Sequence, residues 1–213
     1  MFEFLSQLLS NPMEVIVSWV SQGAPIALAF IFLIIFVETG VVVFPFLPGD
    51  SLLFASGILA LQGALPLPEL LLVVWAAAII GDQCNFFVGH FLGTRIIESG
   101  KVKAMTPERI EKSKAFMDKW GGLSVFLGRF FPFIRTFVPF LAGVGGMKWR
   151  SFIGFNILGG IAWSSVFTLL GYFFGGLPWV NENFELIVIV IILISVLPAA
   201  ITAIKGMRKA SKQ

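Results

Sequence analysis

Two arginines, Arg129 and Arg135, lie in residues 123–147, a run that is otherwise apolar, glycine or proline apart from one serine and one threonine. An arginine that faces lipid at the bilayer centre costs about 2.5 to 3.5 kcal/mol. Both side chains must therefore face protein, water or a bound anion. The guanidinium group stays charged and binds phosphate oxygens in a bidentate manner, so phosphate binding is the chemistry that this pair offers. The alternative is a structural role in ion pairs.

Acidic side chains are embedded in equally apolar sequence upstream. Glu38 lies near the end of the first apolar segment, where a carboxylate is either a proton acceptor or a fixed ion-pair partner, and both roles stay open. Asp50 precedes an apolar stretch in a sequence typical of a helix N-cap, so we expect capping together with function. Asp82 and Asn85, three residues apart on one helix face, are expected to support the site by binding backbone or an arginine.

The composition is that of a membrane protein. The 213 residues are 57% hydrophobic and 13% charged, far more apolar than a soluble domain of this length. The segments long enough to cross a hydrocarbon core are 24–43, 69–91, 151–175 and 184–205. We therefore predict an all-α integral membrane fold with about four transmembrane helices, preceded by an interfacial helix at 1–22.

Positive charge is distributed unevenly along the chain. All fifteen lysines and arginines lie at or after Arg95, and seven of them lie in residues 95–119. By the positive-inside tendency, the amphipathic loop 95–120, the corner at 148–150 and the basic tail 206–213 are cytoplasmic. Because basic residues flank the two-arginine run on both sides, segment 121–147 is predicted to enter and leave the membrane from the cytoplasmic face. Such a segment is re-entrant.

Prolines support a broken helix in this segment. Pro132 and Pro139 each remove an amide donor and clash with the preceding turn, so an uninterrupted helix is not expected. On a straight helix, residues six apart point about 120° away from each other, and Arg129 and Arg135 would diverge. A break at Pro132 allows both arginines to approach the acidic pair near the midplane. Irregular backbone at that depth is tolerated where it is buried in protein or lines a wet cavity.

Segment 44–63 repeats this plan from the external face. A turn of Pro45, Pro48 and Gly49 precedes only about ten apolar residues, whose helical rise of about 15 Å is half of a hydrocarbon core of about 30 Å. The chain is therefore predicted to contain two copies of one unit, a re-entrant segment followed by a span. The two re-entrant segments enter the membrane from opposite faces. This inverted repeat within one domain, 1–213, is typical of secondary transporters, although a scaffold or a membrane enzyme stays open at this point.

From about Gly23 to the C-terminus, the chain resembles the DedA family of bacterial inner-membrane proteins, which carry a VTT-type domain. The motifs are Glu38-Thr-Gly, Pro45-Phe-Leu-Pro48-Gly49-Asp50-Ser51, Gly81-Asp82 with Asn85, Gly128-Arg129 through Pro132 and Arg135-Thr136 to Pro139, and Ala142-Gly143. One departure is His90, where members often carry an arginine. A role for that arginine therefore does not carry over to this chain.

The resemblance implies a lipid transporter, either a flippase or a scramblase, of the bacterial inner membrane. Its substrate would be undecaprenyl phosphate or a phospholipid, its coupling would depend on the proton motive force, and its C-terminus would be cytoplasmic. Arg129 and Arg135 would bind phosphate, and Glu38 and Asp50 would carry protons or form ion pairs. The supporting residues would be Pro45, Pro48, Gly49, Ser51, Asp82, Asn85, Pro132, Thr136, Pro139 and Gly143.

Two alternatives stay open. One is a proton-coupled transporter of a small solute or ion, and the other is a non-transporting scaffold. An enzyme is not expected, because the sole histidine and the sole cysteine leave no metal-ligand cluster or nucleophile-base pair at usable spacing. We expect no cofactor, no metal and no nucleic-acid partner. The small-residue spacing of Gly89 with Gly93 fits close helix packing, within one chain or in a homodimer.

Overall fold

A computed structural model describes residues 7–8, 11–41, 49–99, 107–183, 186–187 and 190, and all regular structure within them is helical. The all-α prediction is confirmed for this part of the chain. Its helices, in order, are α1 Pro12–Val20, α2 Ala24–Gly40, α3 Gly49–Leu61, α4 Leu67–Ser99, α5 Pro107–Gly128, α6 Pro132–Val144, α7 Trp149–Phe174 and α8 Pro178–Glu182.

Three predicted features lie wholly or mostly outside the described residues. They are the turn at Pro45 and Pro48, the last predicted span at 184–205, and the basic tail at 206–213.

Among the described residues, two helices are long and apolar enough to cross a membrane. These stretches are Leu67–Phe91 in α4 and Trp149–Phe174 in α7, and they coincide with the predicted spans at 69–91 and 151–175. Shorter apolar helices cover Ala24–Gly40, Gly49–Leu61 and Ile134–Val144. Large apolar side chains face outward while polar and charged ones are buried, the reverse of a soluble protein. This is the arrangement expected of a helical membrane protein.

The helix is broken between the two arginines. α5 ends at Gly128 and α6 begins at Pro132, a residue whose fixed φ and missing N–H suit the first position of a helix. The predicted break at Pro132 is therefore confirmed. Pro139, which also argued against an uninterrupted helix, lies inside α6 without ending it. A proline inside a helix removes one hydrogen bond, and the surrounding packing can hold the remaining turns together.

A kink divides α5 before this break. Gly121 has φ 48° and ψ −135°, a conformation that side-chain-bearing residues rarely adopt. The kink separates the charged helix that begins at Pro107 from the apolar turns that lead to Arg129. It coincides with the start of the predicted re-entrant segment at 121.

Each short helix packs on the long helix from the other half of the chain. α3 packs most extensively on α7, and α6 packs most extensively on α4, while α4 and α7 contact each other between them. In the first pair, Gly57 of α3 lies against the carbonyl of Thr168, and Gly171 of α7 lies against the carbonyl of Phe54. A Cβ at either glycine would collide with the facing oxygen, so the two backbones approach as closely as only glycine permits.

The second pair repeats this contact. Gly143 of α6 lies against the carbonyl of Phe86, and Gly89 of α4 lies against the carbonyl of Phe140. Stacking of Phe86 on Phe152, with ring centroids 4.3 Å apart, closes the neighbouring apolar cluster between α4 and α7. Each short helix is thereby held rigidly on one long helix, with its N-terminus directed toward the same buried region.

Candidate functional site

Arg135 lies in the first turn of α6 and forms ion pairs with two acidic residues from different helices. Its Nη1 donates to Asp50 Oδ1 at 2.7 Å, and its Nη2 donates to Glu38 Oε1. All three residues are buried, with exposed fractions of 5%, 6% and 0% for Arg135, Asp50 and Glu38. The structure thus brings α2, α3 and α6 together at one guanidinium group.

The Glu38 carboxylate also contacts the start of α3. Its Oε1 accepts the backbone N–H of Gly49 at 3.2 Å, and a Cβ at Gly49 would collide with the carboxylate. Its second oxygen, Oε2, is buried and has no hydrogen-bond partner among the described residues. Free N–H groups at a helix N-terminus bind anions, and Glu38 occupies this position at α3.

Asp50 lies one residue inside α3, which begins at Gly49. The expectation that Asp50 caps the helix is therefore wrong in position, because the cap residue precedes the first helical residue. A negative charge in the first turn is still favoured by the partial positive charge of the N-terminus. From this position in the first turn, the Asp50 carboxylate binds Arg135.

Trp163, in the middle of α7, completes this cluster. Its Nε1 donates to Asp50 Oδ1 at 2.9 Å, and the Arg135 Cζ atom lies 4.8 Å from the centroid of its ring. Sequence reasoning did not select Trp163. The available signal was a tryptophan far from either end of an apolar span, where a buried indole N–H requires a polar partner.

Arg129 lies in the break between α5 and α6 and binds a different set of groups. Its Nη2 donates to Asp82 Oδ2 at 2.5 Å, to Asn156 Oδ1 at 2.6 Å and to the carbonyl of Ala78 at 3.0 Å. The expectation that both arginines approach Glu38 and Asp50 is therefore wrong for Arg129. The break turns this residue toward α4 and α7, where Asp82 supplies the counter-charge.

Asn156 is a second residue that sequence reasoning missed. Its amide is fully buried in α7, where Oδ1 accepts from Arg129 and Nδ2 donates to the carbonyl of Ile79 at 3.0 Å. An isolated amide inside an apolar span was the available signal, as it was for Asn85.

Asn85 joins the two helices that carry Glu38 and Arg135. Its Nδ2 donates to the carbonyl of Thr39 at 3.2 Å and to the carbonyl of Thr136 at 2.6 Å. These carbonyls belong to the residues that follow Glu38 and Arg135. The amide therefore fixes the backbone beside both members of the ion pair.

The other selected residues surround these contacts or lie elsewhere. Ser51 and Thr136 are buried beside Asp50 and Arg135, and Gly143 lies at the α6–α4 contact. His90 is exposed, with its ring stacked on Phe86. Within the described part of the chain, no group of three or more histidine, cysteine or acidic side chains is placed to hold a metal ion.

The buried charges do not balance. Glu38, Asp50 and Asp82 face Arg129 and Arg135, so the described cluster holds one more acidic than basic side chain. An uncompensated charge in a dry interior is costly. Binding of one proton would neutralise the group, and a proton on Glu38 would leave one terminal nitrogen of Arg135 without its carboxylate partner and open to another anion.

Comparisons with known proteins match most of the chain, and every charged residue of the site except Glu38 lies inside the matched domain. Residues 47–173 match the VTT domain. The chain is 41% identical to Protein DedA of Escherichia coli over 86% of this chain and 85% of that protein. It is also 41% identical to an uncharacterized membrane protein of Mycobacterium tuberculosis over 84% of this chain and 79% of that protein. Identity to the inner membrane protein YghB of Escherichia coli is 34%, over 71% and 69% of the two chains. No solved structure matches the chain.

Proposed function

The chain belongs to the DedA family of VTT-domain membrane proteins, and on that premise we propose that it is a proton-coupled lipid flippase or scramblase. Its substrate would be a phosphate-bearing lipid, either undecaprenyl phosphate or a phospholipid. The observation that carries the proposal is the position of the Glu38 carboxylate. This carboxylate accepts one hydrogen bond from the Gly49 N–H at the start of α3 and another from the guanidinium group of Arg135.

These two donors form an anion site that a phosphate group could use. A phosphate oxygen accepts the same kinds of hydrogen bond as a carboxylate oxygen and carries comparable charge. The ion pair between Asp50 and Arg135 also joins the first turns of α3 and α6, so two helix N-termini meet here. Half-helix N-termini that meet inside the membrane are the anion sites of secondary transporters.

The charge imbalance supplies a physical basis for proton coupling. While Glu38 is ionised, it competes with any phosphate for Arg135 and the Gly49 amide. A proton on Glu38 removes this competing charge and leaves the donors to an incoming phosphate. Proton binding and phosphate binding therefore favour each other, and by linkage each raises the affinity for the other.

The proposed architecture is four spans with two opposed re-entrant segments in an inverted repeat, forming one domain over 1–213. The close contacts of the short helices support it. Gly143 and Phe140 of α6 each lie 86 residues after Gly57 and Phe54 of α3, and the facing residues on α7 lie 82 residues after those on α4. Two copies of one structural unit would produce this pattern, in which the same contact between a glycine and a carbonyl recurs at a constant separation in the sequence.

Helix length supports the re-entrant assignment. α3 and α6 each have 13 residues, so each rises about 20 Å, less than a hydrocarbon core of about 30 Å. We place the protein in the bacterial inner membrane with the basic loop 95–120 and the C-terminus in the cytoplasm, as the distribution of lysine and arginine favours. The name of the relative YghB agrees with that membrane.

A reconstituted flipping assay tests the proposal. Vesicles that contain the purified protein would be loaded with labelled undecaprenyl phosphate or labelled phosphatidylethanolamine, with and without a pH gradient. We expect movement of at least one lipid, acceleration by the gradient, and a loss of about tenfold or more in Arg135→Lys, because lysine lacks the planar donor fork. Arg150→Lys is the matched control, since Arg150 is exposed at the start of α7.

The alternatives give different results in this assay. A small-solute transporter would dissipate the pH gradient while both lipids stay in place. A scaffold would move neither lipid nor protons, and cells in which Glu38, Asp50, Arg129 and Arg135 are all neutralised would keep a normal lipid distribution. Either result would contradict the proposed function.

A further inference from the structure

One face of α7 contacts both buried arginines. Asn156, Gly159, Gly160 and Trp163 are spaced at i, i+3, i+4 and i+7, so they form a single stripe on the helix. Asn156 binds Arg129, and an added Cβ at Gly159 would lie 3.2 Å from the Cδ of Arg129. The glycines thus leave the space that the Arg129 side chain occupies. Trp163 is the last residue of this stripe, and its ring lies against the guanidinium group of Arg135.

Trp163 is the residue in this stripe that contacts two helices from opposite halves of the chain. Its N–H binds Asp50 of α3, while the face of its ring lies against the guanidinium group of Arg135 in α6. The residue is 1% exposed, so neither contact competes with solvent. Hydrogen bonds to a carboxylate and cation–π contacts are both strongest when water is excluded.

We propose that Trp163 is a positioning residue that fixes Asp50 and Arg135 relative to each other and thereby sets the affinity of the site for a phosphate-bearing lipid. The phosphate part rests on the proposed function, whereas the positioning part does not.

The hydrogen bonds of Arg135 show why its orientation needs this support. Its two terminal nitrogens donate to carboxylates on separate helices, but its Nε is buried and, in the part of the chain that the structure describes, has no hydrogen-bond partner. The plane of the guanidinium group is therefore held only at its outer end by hydrogen bonds. The flat indole ring restricts the remaining rotation. A displaced carboxylate would leave Arg135 oriented for a bidentate contact with phosphate.

The two contacts of Trp163 can be separated by substitution. Trp163→Phe keeps an aromatic face for Arg135 and removes the N–H that binds Asp50. Trp75→Phe is a matched control, because the Trp75 indole also donates a 2.9 Å hydrogen bond between α4 and α7, but to Ser165 and outside this cluster. Both variants delete the same atoms from a helix–helix contact, so a general packing effect would appear in both.

The experiment is a double-mutant cycle with Asp50→Ala, which removes the acceptor of the Trp163 N–H, on purified full-length protein in detergent. Farnesyl phosphate, a short isoprenyl phosphate, serves as the probe. We expect Trp163→Phe to raise the dissociation constant of the probe about tenfold with Asp50 present and less than about twofold in the Asp50→Ala background. Trp75→Phe should change it by less than about twofold in both backgrounds. Equal losses from Trp163→Phe in the two backgrounds would overturn the proposal.

A thermal version of the same cycle separates this inference from the proposed function. If the wild-type protein binds no farnesyl phosphate and moves no lipid, the proposed function fails. The positioning role is then judged by the unfolding midpoints alone. The role is retained if Trp163→Phe and Asp50→Ala are coupled while Trp75→Phe and Asp50→Ala are not, and additive shifts reject it.

A measurement that needs no Trp163 variant guards against misfolding. In ¹⁵N-labelled protein, the indole N–H groups of the six tryptophans give separate signals. Asp50→Asn should shift one of them strongly, because one indole donates to that carboxylate. Farnesyl phosphate should shift the same signal. Binding of the probe without any change in that signal would also overturn the proposal.

Discussion

The Nη1 atom of Arg135 lies 2.7 Å from Oδ1 of Asp50, so the first turns of two short helices from opposite halves of the chain meet through one ion pair. Helix N-termini carry partial positive charge and repel each other at close range. The carboxylates of Asp50 and Glu38 offset that repulsion. Removal of either carboxylate therefore changes both the local charge and the separation of the two helices.

Glu38→Gln should make transport independent of pH. The amide cannot bind the coupling proton, and as a neutral group it competes more weakly than a carboxylate for Arg135 and the Gly49 amide. We expect affinity for farnesyl phosphate at neutral pH to rise about tenfold, which corresponds to about 1.4 kcal/mol. The measurements are calorimetric binding and lipid flipping across a range of pH.

Glu69→Gln is the control for this substitution, because Glu69 is exposed in the first turn of α4. It should leave both the affinity and the pH profile unchanged. An unaltered pH profile in Glu38→Gln would show that Glu38 is a fixed ion-pair partner and not the proton carrier.

Asp82→Asn should destabilise the protein by about 3 to 5 kcal/mol, because it leaves the buried Arg129 charge without its counter-charge. The double variant Asp82→Asn with Arg129→Gln should be less destabilised than the single variant, since the Arg129 charge is then removed together with its partner. Thermal unfolding in detergent gives both values. Glu111→Gln, an exposed carboxylate on α5, is the control. Equal stability of the single and double variants would argue against this ion pair.

Asn85→Ala should lower stability by about 1 to 3 kcal/mol, because it deletes the donor shared by the carbonyls of Thr39 and Thr136 and leaves both buried. Asn183→Ala removes a similar bond, to the carbonyl of Trp179, at an exposed site and should cost much less. Comparison of the two unfolding midpoints tests the prediction. Similar losses from both substitutions would contradict a specific role for Asn85.

Gly57→Ala and Gly143→Ala should each destabilise the protein by about 1 to 3 kcal/mol, because an added methyl group would collide with a backbone carbonyl of a long helix. Similar costs are expected, since the two contacts have the same form. Gly154→Ala is the control: a Cβ at Gly154 meets no atom within 4 Å, and alanine favours a helix over glycine. Tolerance of alanine at either buried site would show that the two helices are less closely packed than described.

Sequence reasoning located the helices and most of the charged site but could not assign the partners within it. Apolar length and proline position are local properties, so the long helices and the break at Pro132 could be predicted. The choice of Asp82 over Glu38 as partner for Arg129 depends on how the broken backbone turns, which no local pattern encodes. Trp163 and Asn156 were missed for the same reason, because their partners lie 113 and 27 residues away.

The paired glycine contacts have a consequence for energetics. The α3–α7 interface and the α6–α4 interface are both formed by glycines that lie against backbone carbonyls. A movement that loosened one interface and tightened the other would therefore replace one contact by another of the same kind. Two conformations related in this way would differ little in free energy, and small gradients would then suffice to shift their populations. On the proposed function, such a symmetric arrangement would impose no direction of transport, and the lipid and proton gradients would set it.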